Sequence, residues 1–137
     1  MRLPKSVLAV FPVLFFIGLL LGNLFFFKTQ EQGQKLYAQH CASCHMEKGE
    51  GLANLIPPLA EADWLAQNPE KVACIIRYGQ TGEVRVNGKT YNHPMPANLQ
   101  LSDTEIHNIT NFILSNFGNK VSKRTFEQIT KDLRTCH

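Results

Sequence analysis

The sequence predicts a small all-α domain with one short β-hairpin, preceded by a single N-terminal transmembrane helix. Three observations favour this fold class. Residues 7–27 are apolar and carry no charge, helical hydrophobic spacing recurs through the rest of the chain, and an Asn87-Gly88 pair follows alternating valines. The chain has 137 residues, which leaves room for one domain after the apolar segment.

The apolar segment is long enough to cross a bilayer, because about 20 helical residues span roughly 30 Å. A cleaved secretory signal is the alternative, but no pair of small residues in A-x-A spacing marks a cleavage point. Arg2 and Lys5 precede the segment, which favours a cytoplasmic N-terminus and export of the rest. We therefore expect a single-pass anchor over residues 1–28 in a bacterial inner membrane, and a periplasmic domain over residues 29–137.

The first elements of this domain follow from apolar spacing. Residues 30–45 read as a helix, in which Gly33 is a poor helix former and marks the close approach of another backbone. Residues 69–79 form a second helix candidate, with apolar positions at Val72, Ile75 and Ile76. Val84 and Val86 before Asn87-Gly88 predict a type I′ hairpin.

Two more helices complete the prediction. Ser102 and Glu105 form a capping box, and the helix that follows is expected to cross the first helix, with Phe112 or a neighbour against Gly33 and Tyr37. A last helix over residues 123–134, with Ser122 as its N-cap, forms a C-terminal extension from about residue 119. Its predicted buried face consists of Phe126, Ile129 and Leu133.

The segment Cys41-Ala42-Ser43-Cys44-His45 carries the chemistry. Two cysteines three positions apart, followed directly by histidine, are the attachment motif of a c-type haem, with His45 as the proximal iron ligand. Zinc or dithiol chemistry is the alternative, but the sequence has no second C-x-x-C or H-x-x-x-H pair and no thioredoxin-like strand–helix pattern. We therefore expect one covalently bound haem c. In bacteria such haems are attached outside the cytoplasm, which agrees with the predicted orientation.

Met95 is the candidate sixth ligand of the iron. It lies in His93-Pro94-Met95-Pro96-Ala97, where the prolines stiffen the loop that presents the thioether. Thioether ligation favours ferrous iron and raises the reduction potential. His93 is the competitor, and Met46 is too close to His45 to reach the opposite face of a haem.

Other residues are candidates for the walls of the pocket. Pro57 lies in a Pro-Pro segment. It either supplies a backbone carbonyl to the proximal histidine or only interrupts regular secondary structure in a loop. Arg77 either pairs with a haem propionate or lies on the surface. The remaining candidate wall residues are Leu59, Trp64, Tyr78 and Tyr91.

Cys74 and Cys136 have no motif around them. An even pair of cysteines in an oxidising compartment predicts a disulfide, although two unpaired buried thiols are the alternative. The bridge would close a loop of about 62 residues, worth roughly 4 kcal/mol in the chain-entropy model. It would hold the C-terminal helix against the domain.

Charge argues against nucleic-acid binding. The formal net charge is +3, but residues 28–118 carry seven basic and nine acidic side chains, while residues 119–137 carry five basic and two acidic ones. There is no basic stripe and no recognition motif in this pattern. With both axial positions of the iron filled, a small-molecule substrate has no place to bind, so we expect an electron carrier rather than an enzyme.

The order of elements resembles that of class I cytochromes c. The resemblance covers about residues 31–134 and rests on the haem motif together with Val86-Asn87-Gly88, Met95-Pro96-Ala97, Leu101-Ser102-Asp103 and Phe117-Gly118-Asn119. The sequence is similar to the monohaem domains that occur alone or fused to bacterial quinoprotein dehydrogenases and copper nitrite reductases.

The resemblance implies that His45 and Met95 are the axial pair, that the Pro57 carbonyl accepts a hydrogen bond from the histidine, and that Leu59 touches the porphyrin. The membrane helix and the Cys74–Cys136 pair are not part of the soluble family pattern.

These features predict a membrane-tethered carrier that passes single electrons between redox proteins of a periplasmic respiratory chain. The alternative is a fixed haem subunit of a larger membrane complex, either an oxidase, a reductase or a quinol-oxidising complex. A third possibility is a haem sensor or enzyme with a labile sixth ligand.

Overall fold

The computed structural model describes residues 5–136, and within the first helix the side chains of residues 12, 14–22 and 30–40. Six helices and one hairpin follow in the order α1 (Lys5–His40), α2 (Ala42–His45), α3 (Asp63–Gln67), α4 (Val72–Tyr78), β1 (Val84–Val86), β2 (Lys89–Tyr91), α5 (Asp103–Ser115) and α6 (Phe126–Arg134). The chain forms two compact units, one ending at Glu31 and one beginning at Gln32.

In the first unit, the described apolar side chains are exposed, and those of Leu14, Phe15, Phe16 and Leu20 are 62–66% accessible. No helix made up of described residues is both long enough and apolar enough to cross a membrane. The predicted anchor over residues 1–28 lies mostly outside the side chains that the structure describes, and Arg2 lies outside the described residues altogether.

In the second unit, α1 and α5 cross at Gly33. A Cβ atom at this position would lie 2.6 Å from the carbonyl oxygen of Asn108 and 2.8 Å from Cβ of Phe112, so only glycine fits. Four residues later, the ring of Tyr37 packs 5.5 Å from that of Phe112, centroid to centroid. The predicted crossing is confirmed.

The predicted capping box and hairpin are also confirmed. The backbone N–H of Ser102 donates to the Glu105 carboxylate at 2.7 Å, and the N–H of Glu105 donates to Ser102 Oγ at 3.3 Å. In the hairpin, Val86 pairs with Lys89, and both Asn87 (φ 51°) and Gly88 (φ 76°) have the positive φ that a type I′ turn requires.

The last helix begins later than predicted. Its N-cap is Thr125 rather than Ser122, because Thr125 and Gln128 satisfy each other's backbone N–H groups in a second capping box. Arg124 cannot join the helix, since Asn111 binds both its N–H and its carbonyl at 2.8 Å. Phe126 is 48% exposed and therefore not on the buried face, whereas Ile129 and Leu133 are buried as predicted.

Two other predicted helices also differ in their boundaries. The predicted helix over residues 30–45 ends at His40 and resumes as α2, and the predicted helix over residues 69–79 begins only at Val72. The short helix α3 was not predicted.

The C-terminal extension is attached at both ends. Asn111 of α5 holds its beginning, and a disulfide between Cys74 and Cys136, with Cα atoms 5.5 Å apart, joins its end to α4. Between these points, Arg124 and Asp132 form a bidentate ion pair with bonds of 2.8 and 2.9 Å. The structure thus contains the bridge predicted from the sequence.

Candidate haem site

A cavity of about 340 Å³ lies in the second unit, within the usual range for ligand-binding pockets of about 300–1,000 Å³. It brings together the four residues predicted to bind the haem and its iron: Cys41, Cys44, His45 and Met95. The rest of its wall is almost entirely apolar, and includes Ile56, Pro57, Pro58, Leu59, Ala62, Trp64, Leu65, Val72, Ile75, Ile76, Val84, Val86 and Ile113.

The two cysteines stand where α1 stops and α2 begins. The N–H of His45 donates to the Cys41 carbonyl at 2.9 Å, so the motif closes one helical turn and directs both cysteines and the histidine to the cavity. Neither cysteine is in a disulfide; Cys41 is buried and Cys44 is exposed. Burial, and to a smaller extent Cys44, raises the pKa of the Cys41 thiol to about 11, so this thiol is neutral at physiological pH.

The imidazole of His45 is held in a fixed orientation. Its Nδ1 lies 3.1 Å from the carbonyl oxygen of Pro57, and only 8% of the residue is exposed. Burial lowers the pKa of His45, an effect that the Pro57 carbonyl partly opposes. The neutral ring is therefore favoured, and with the proton on Nδ1 the lone pair of Nε2 is left to bind a metal.

The loop that carries Pro57 is fixed by backbone contacts. A Cβ atom at Gly51 would lie 2.5 Å from the Ile56 carbonyl oxygen and 2.8 Å from that of Pro57. Further along, the N–H groups of Leu59 and Ala60 both donate to the Gly49 carbonyl, at 2.7 and 2.8 Å. The acceptor of the histidine hydrogen bond is therefore part of a tightly packed turn.

Asn119 supports the same wall from behind. Its side chain accepts from the N–H of Ala62 at 3.2 Å and donates to the carbonyls of Leu59 and Ile113 at 2.7 and 2.9 Å. Both Leu59 and Ala62 line the cavity. Sequence reasoning did not find this role, because a buried asparagine that bonds to distant backbone groups leaves no local pattern.

Met95 is held by α4 and the two residues that follow it. The N–H of Met95 donates to the Gln80 carbonyl at 2.9 Å, and the N–H of Gln80 donates to the Met95 carbonyl at 3.0 Å. Gly79 (φ 80°) makes this approach possible, because a Cβ atom there would lie 2.5 Å from the Met95 carbonyl oxygen. The flanking prolines alone do not fix the loop; this bridge, which the sequence did not reveal, holds it in place.

The structure places the other predicted wall residues in two groups. Leu59 and Trp64 line the cavity, as does His93, the alternative sixth ligand. Tyr91 is buried and Tyr78 is exposed, and neither is among the described residues of the cavity wall.

Arg77 also does not line the cavity. Its guanidinium donates to the carbonyls of Leu99, at 3.3 Å, and Leu101, and it pairs with Asp103 at 2.5 Å. The described contacts of Arg77 therefore hold the segment after Met95.

The donor set and the shape of the site fit a covalently attached haem. Two cysteines suit the two vinyl groups, an imidazole and a thioether suit the iron, and the apolar wall suits the porphyrin. The cytochrome c family model matches residues 30–117, which contain all four of these residues. The chain belongs to the cytochrome c family. Members of this family bind haem c covalently and carry electrons, and this domain binds haem c accordingly.

Two kinds of known protein are similar to this cytochrome c: cytochrome c-552 proteins, and larger cytochrome c subunits of which the matched segment is only a part. A cytochrome c-552 of Thermus thermophilus is 36% identical over 118 residues, which cover 83% of this chain and 78% of that protein. The cytochrome c subunit of a quinone alcohol dehydrogenase from Gluconobacter oxydans is 29% identical over 105 residues, or 75% of this chain but only 22% of that subunit.

Proposed function

We propose that this protein is a membrane-tethered electron carrier on the periplasmic side of a bacterial inner membrane. The observation that carries the proposal is the presence of His45 and Met95 in one cavity together with Cys41 and Cys44. When bound, the haem supplies a one-electron change between ferric and ferrous iron.

Two side chains would hold the haem iron and keep substrates from it. His45, oriented through its Nδ1 by the Pro57 carbonyl, and Met95, held through the Gln80 bridge, would be its protein ligands. With both residues bound to the iron, the protein would exchange electrons without binding a substrate at the metal. The apolar wall excludes water and favours the less charged ferrous site.

The tether is supported by the sequence of the first unit. Residues 7–27 are uncharged, and the described side chains among them include several exposed leucines and phenylalanines. Exposed apolar side chains along a helix suit a lipid environment. Arg2 and Lys5 on one side of the segment favour export of the haem domain to the other side.

A fixed haem subunit of a dehydrogenase complex is the second candidate. It is favoured by the similarity of this chain to a segment of the Gluconobacter oxydans alcohol dehydrogenase subunit. In that case the same haem chemistry serves a single permanent partner. A haem sensor or enzyme with a labile sixth ligand is less well supported, since the Gln80 bridge holds Met95 at the cavity.

Purification of the full chain from membranes tests the proposal. We expect haem-stained protein to remain in membranes after a high-salt wash, to dissolve in mild detergent, and to migrate alone. Stoichiometric co-migration with a dehydrogenase, oxidase or reductase would instead support the subunit. As a control, a variant in which a cleavable secretory signal replaces residues 1–28 should appear in the soluble periplasmic fraction. Release of the full chain by salt alone would contradict the tether.

A further inference from the structure

The segment that carries Met95, residues 95–101, is bound along its length to one helix. Gln80, just after α4, pairs with Met95, and the Ile76 carbonyl within α4 accepts from the N–H of Asn98 at 3.1 Å. Arg77 of the same helix donates to the carbonyls of Leu99 and Leu101. The position of Met95 therefore follows the position of α4.

The same helix is held covalently on another side. Cys74 lies next to Ile75, which lines the haem cavity, and its disulfide partner Cys136 stands two residues after the end of α6. The beginning of the same C-terminal extension is fixed to α5, because Asn111 of α5 binds the backbone of Arg124. The helix α4 has only seven residues. Cys74 lies on its first turn, and the residues that bind the Met95 segment, Ile76 and Arg77, lie on the next turn.

We propose that the Cys74–Cys136 disulfide is a positioning element for the sixth ligand: by holding α4 in place, it sets the rate at which the Met95 thioether leaves the iron. This inference rests on the proposed function, in which Met95 is that ligand. A short helix by itself has little local stability, and opening of such an element is resisted mainly by its tertiary and covalent attachments.

The same bridge makes the ligand responsive to thiol reductants. A dithiol opens the bridge in two exchange steps: the bond between the two Sγ atoms breaks, Cys74 and Cys136 each become a thiol, and the reductant becomes a disulfide. Two electrons and two protons move from the dithiol to the protein. Both cysteines are partly exposed, so the reductant has access to them.

The test compares three variants of the holoprotein with the wild type. The double variant Cys74→Ser/Cys136→Ser removes the bridge without leaving a thiol. Gly79→Ala perturbs the support of Met95 directly, and Gln128→Ala weakens the α6 capping box while leaving the bridge intact. The first readout is the rate of carbon monoxide binding to the ferrous protein at saturating gas, where Met95 must leave first.

We expect the double variant to bind carbon monoxide about tenfold faster, since each ~1.4 kcal/mol of lost local stability is one factor of ten. Gly79→Ala should also be faster, and Gln128→Ala should match the wild type. The second readout is amide hydrogen exchange. The N–H groups of Gln80, Met95 and Asn98 should exchange faster in the double variant, whereas those of Cys41 and His45 should not change.

Unchanged carbon monoxide rates in the double variant, with Gly79→Ala faster, would overturn the inference and leave the proposed function intact. If Met95→Leu leaves the ferric and ferrous spectra unchanged, Met95 is not the ligand. That result would contradict the proposed function itself, independently of the role of the disulfide. Should the double variant not mature, the wild-type ferrous holoprotein is treated with a dithiol and its two new thiols are alkylated. The same tenfold acceleration is expected, and its absence overturns the inference.

Discussion

The carbonyl oxygen of Pro57 lies 3.1 Å from Nδ1 of His45 and accepts a hydrogen bond from this ring nitrogen, which leaves Nε2 as the nitrogen available to a metal. A hydrogen bond in this position fixes the tautomer and the plane of a ligating imidazole and increases its basicity. The distance depends on the turn before it, because Gly51 packs directly against the carbonyl groups of Ile56 and Pro57.

Gly51→Ala should displace the Pro57 carbonyl and raise the reduction potential, because a less basic histidine stabilises ferric iron less well. Positive φ (71°) alone costs an L residue about 1–2 kcal/mol, and the contact at 2.5 Å with the Ile56 oxygen adds to this. Gly82→Ala is the matched control, since Gly82 has φ 84° and open space around it. Equal thermal midpoints and potentials for the two variants would contradict the role of Gly51.

Met95→Leu should remove the thioether while keeping most of the side-chain volume. We expect loss of the far-red ferric band typical of iron–thioether ligation, a lower reduction potential, and rapid binding of carbon monoxide. Met46→Leu is the control, because Met46 follows the proximal histidine directly and should leave all three properties unchanged. A replacement of the lost band by a bis-histidine spectrum would identify His93 as the alternative ligand.

Asn119→Ala should lower the free energy of unfolding by about 2–4 kcal/mol, because it leaves a buried N–H group, the buried Ile113 carbonyl and the partly buried Leu59 carbonyl without this partner. Asn116→Ala offers a comparison, since that amide is less buried and donates to the Phe112 carbonyl within one helix turn. Denaturant unfolding of both holoproteins measures the difference. A loss at Asn119 no larger than that at Asn116 would show that the Leu59–Ala62 wall does not depend on this side chain.

The capping box of α5 should make stability depend on pH in the acid range. The Ser102 backbone N–H and hydroxyl both bind the Glu105 carboxylate and lower its pKa. A lowered carboxylate pKa stabilises the fold at pH values above the usual range of glutamate, and this contribution disappears as pH falls through the folded-state pKa. The thermal midpoint of unfolding should therefore be higher for the wild type than for Glu105→Gln at neutral pH. This difference in midpoint should disappear as the pH is lowered.

The second capping box provides the control for this pH effect. In α6 the same position is already an uncharged Gln128. Gln128→Glu should therefore introduce a new stabilisation that is present at neutral pH and absent in acid. A midpoint difference that stays constant with pH in both helices would contradict the charge-assisted bond.

Sequence reasoning found the groups whose chemistry is local. The haem motif, the capping box at Ser102 and the turn at Asn87-Gly88 each lie within six residues, where spacing alone determines geometry. The role of Gly33 was also predicted correctly, because a glycine inside a helical pattern lowers helix stability and is therefore usually kept for close packing.

Contacts between distant segments were missed. The sequence is compatible with Arg77 at a haem propionate or on the surface, whereas in the structure Arg77 binds two carbonyls and Asp103, all more than twenty residues away. The start of α6 differs from the prediction because Ser122 and Thr125 both suit an N-cap. Thr125 has Gln128 at the right spacing for a capping box, and the distant Asn111 binds the backbone of Arg124 just before it.

The disulfide also has a topological consequence. Cys74 and Cys136 are 62 positions apart, and the chain between them is a closed covalent ring that contains Met95, whereas His45 lies outside it. A single proteolytic cut inside the ring, for example at the exposed hairpin tip Asn87-Gly88, opens the ring but releases no fragment. Both halves stay in one molecule, so a nicked protein keeps its two axial residues together for as long as the bridge remains oxidised.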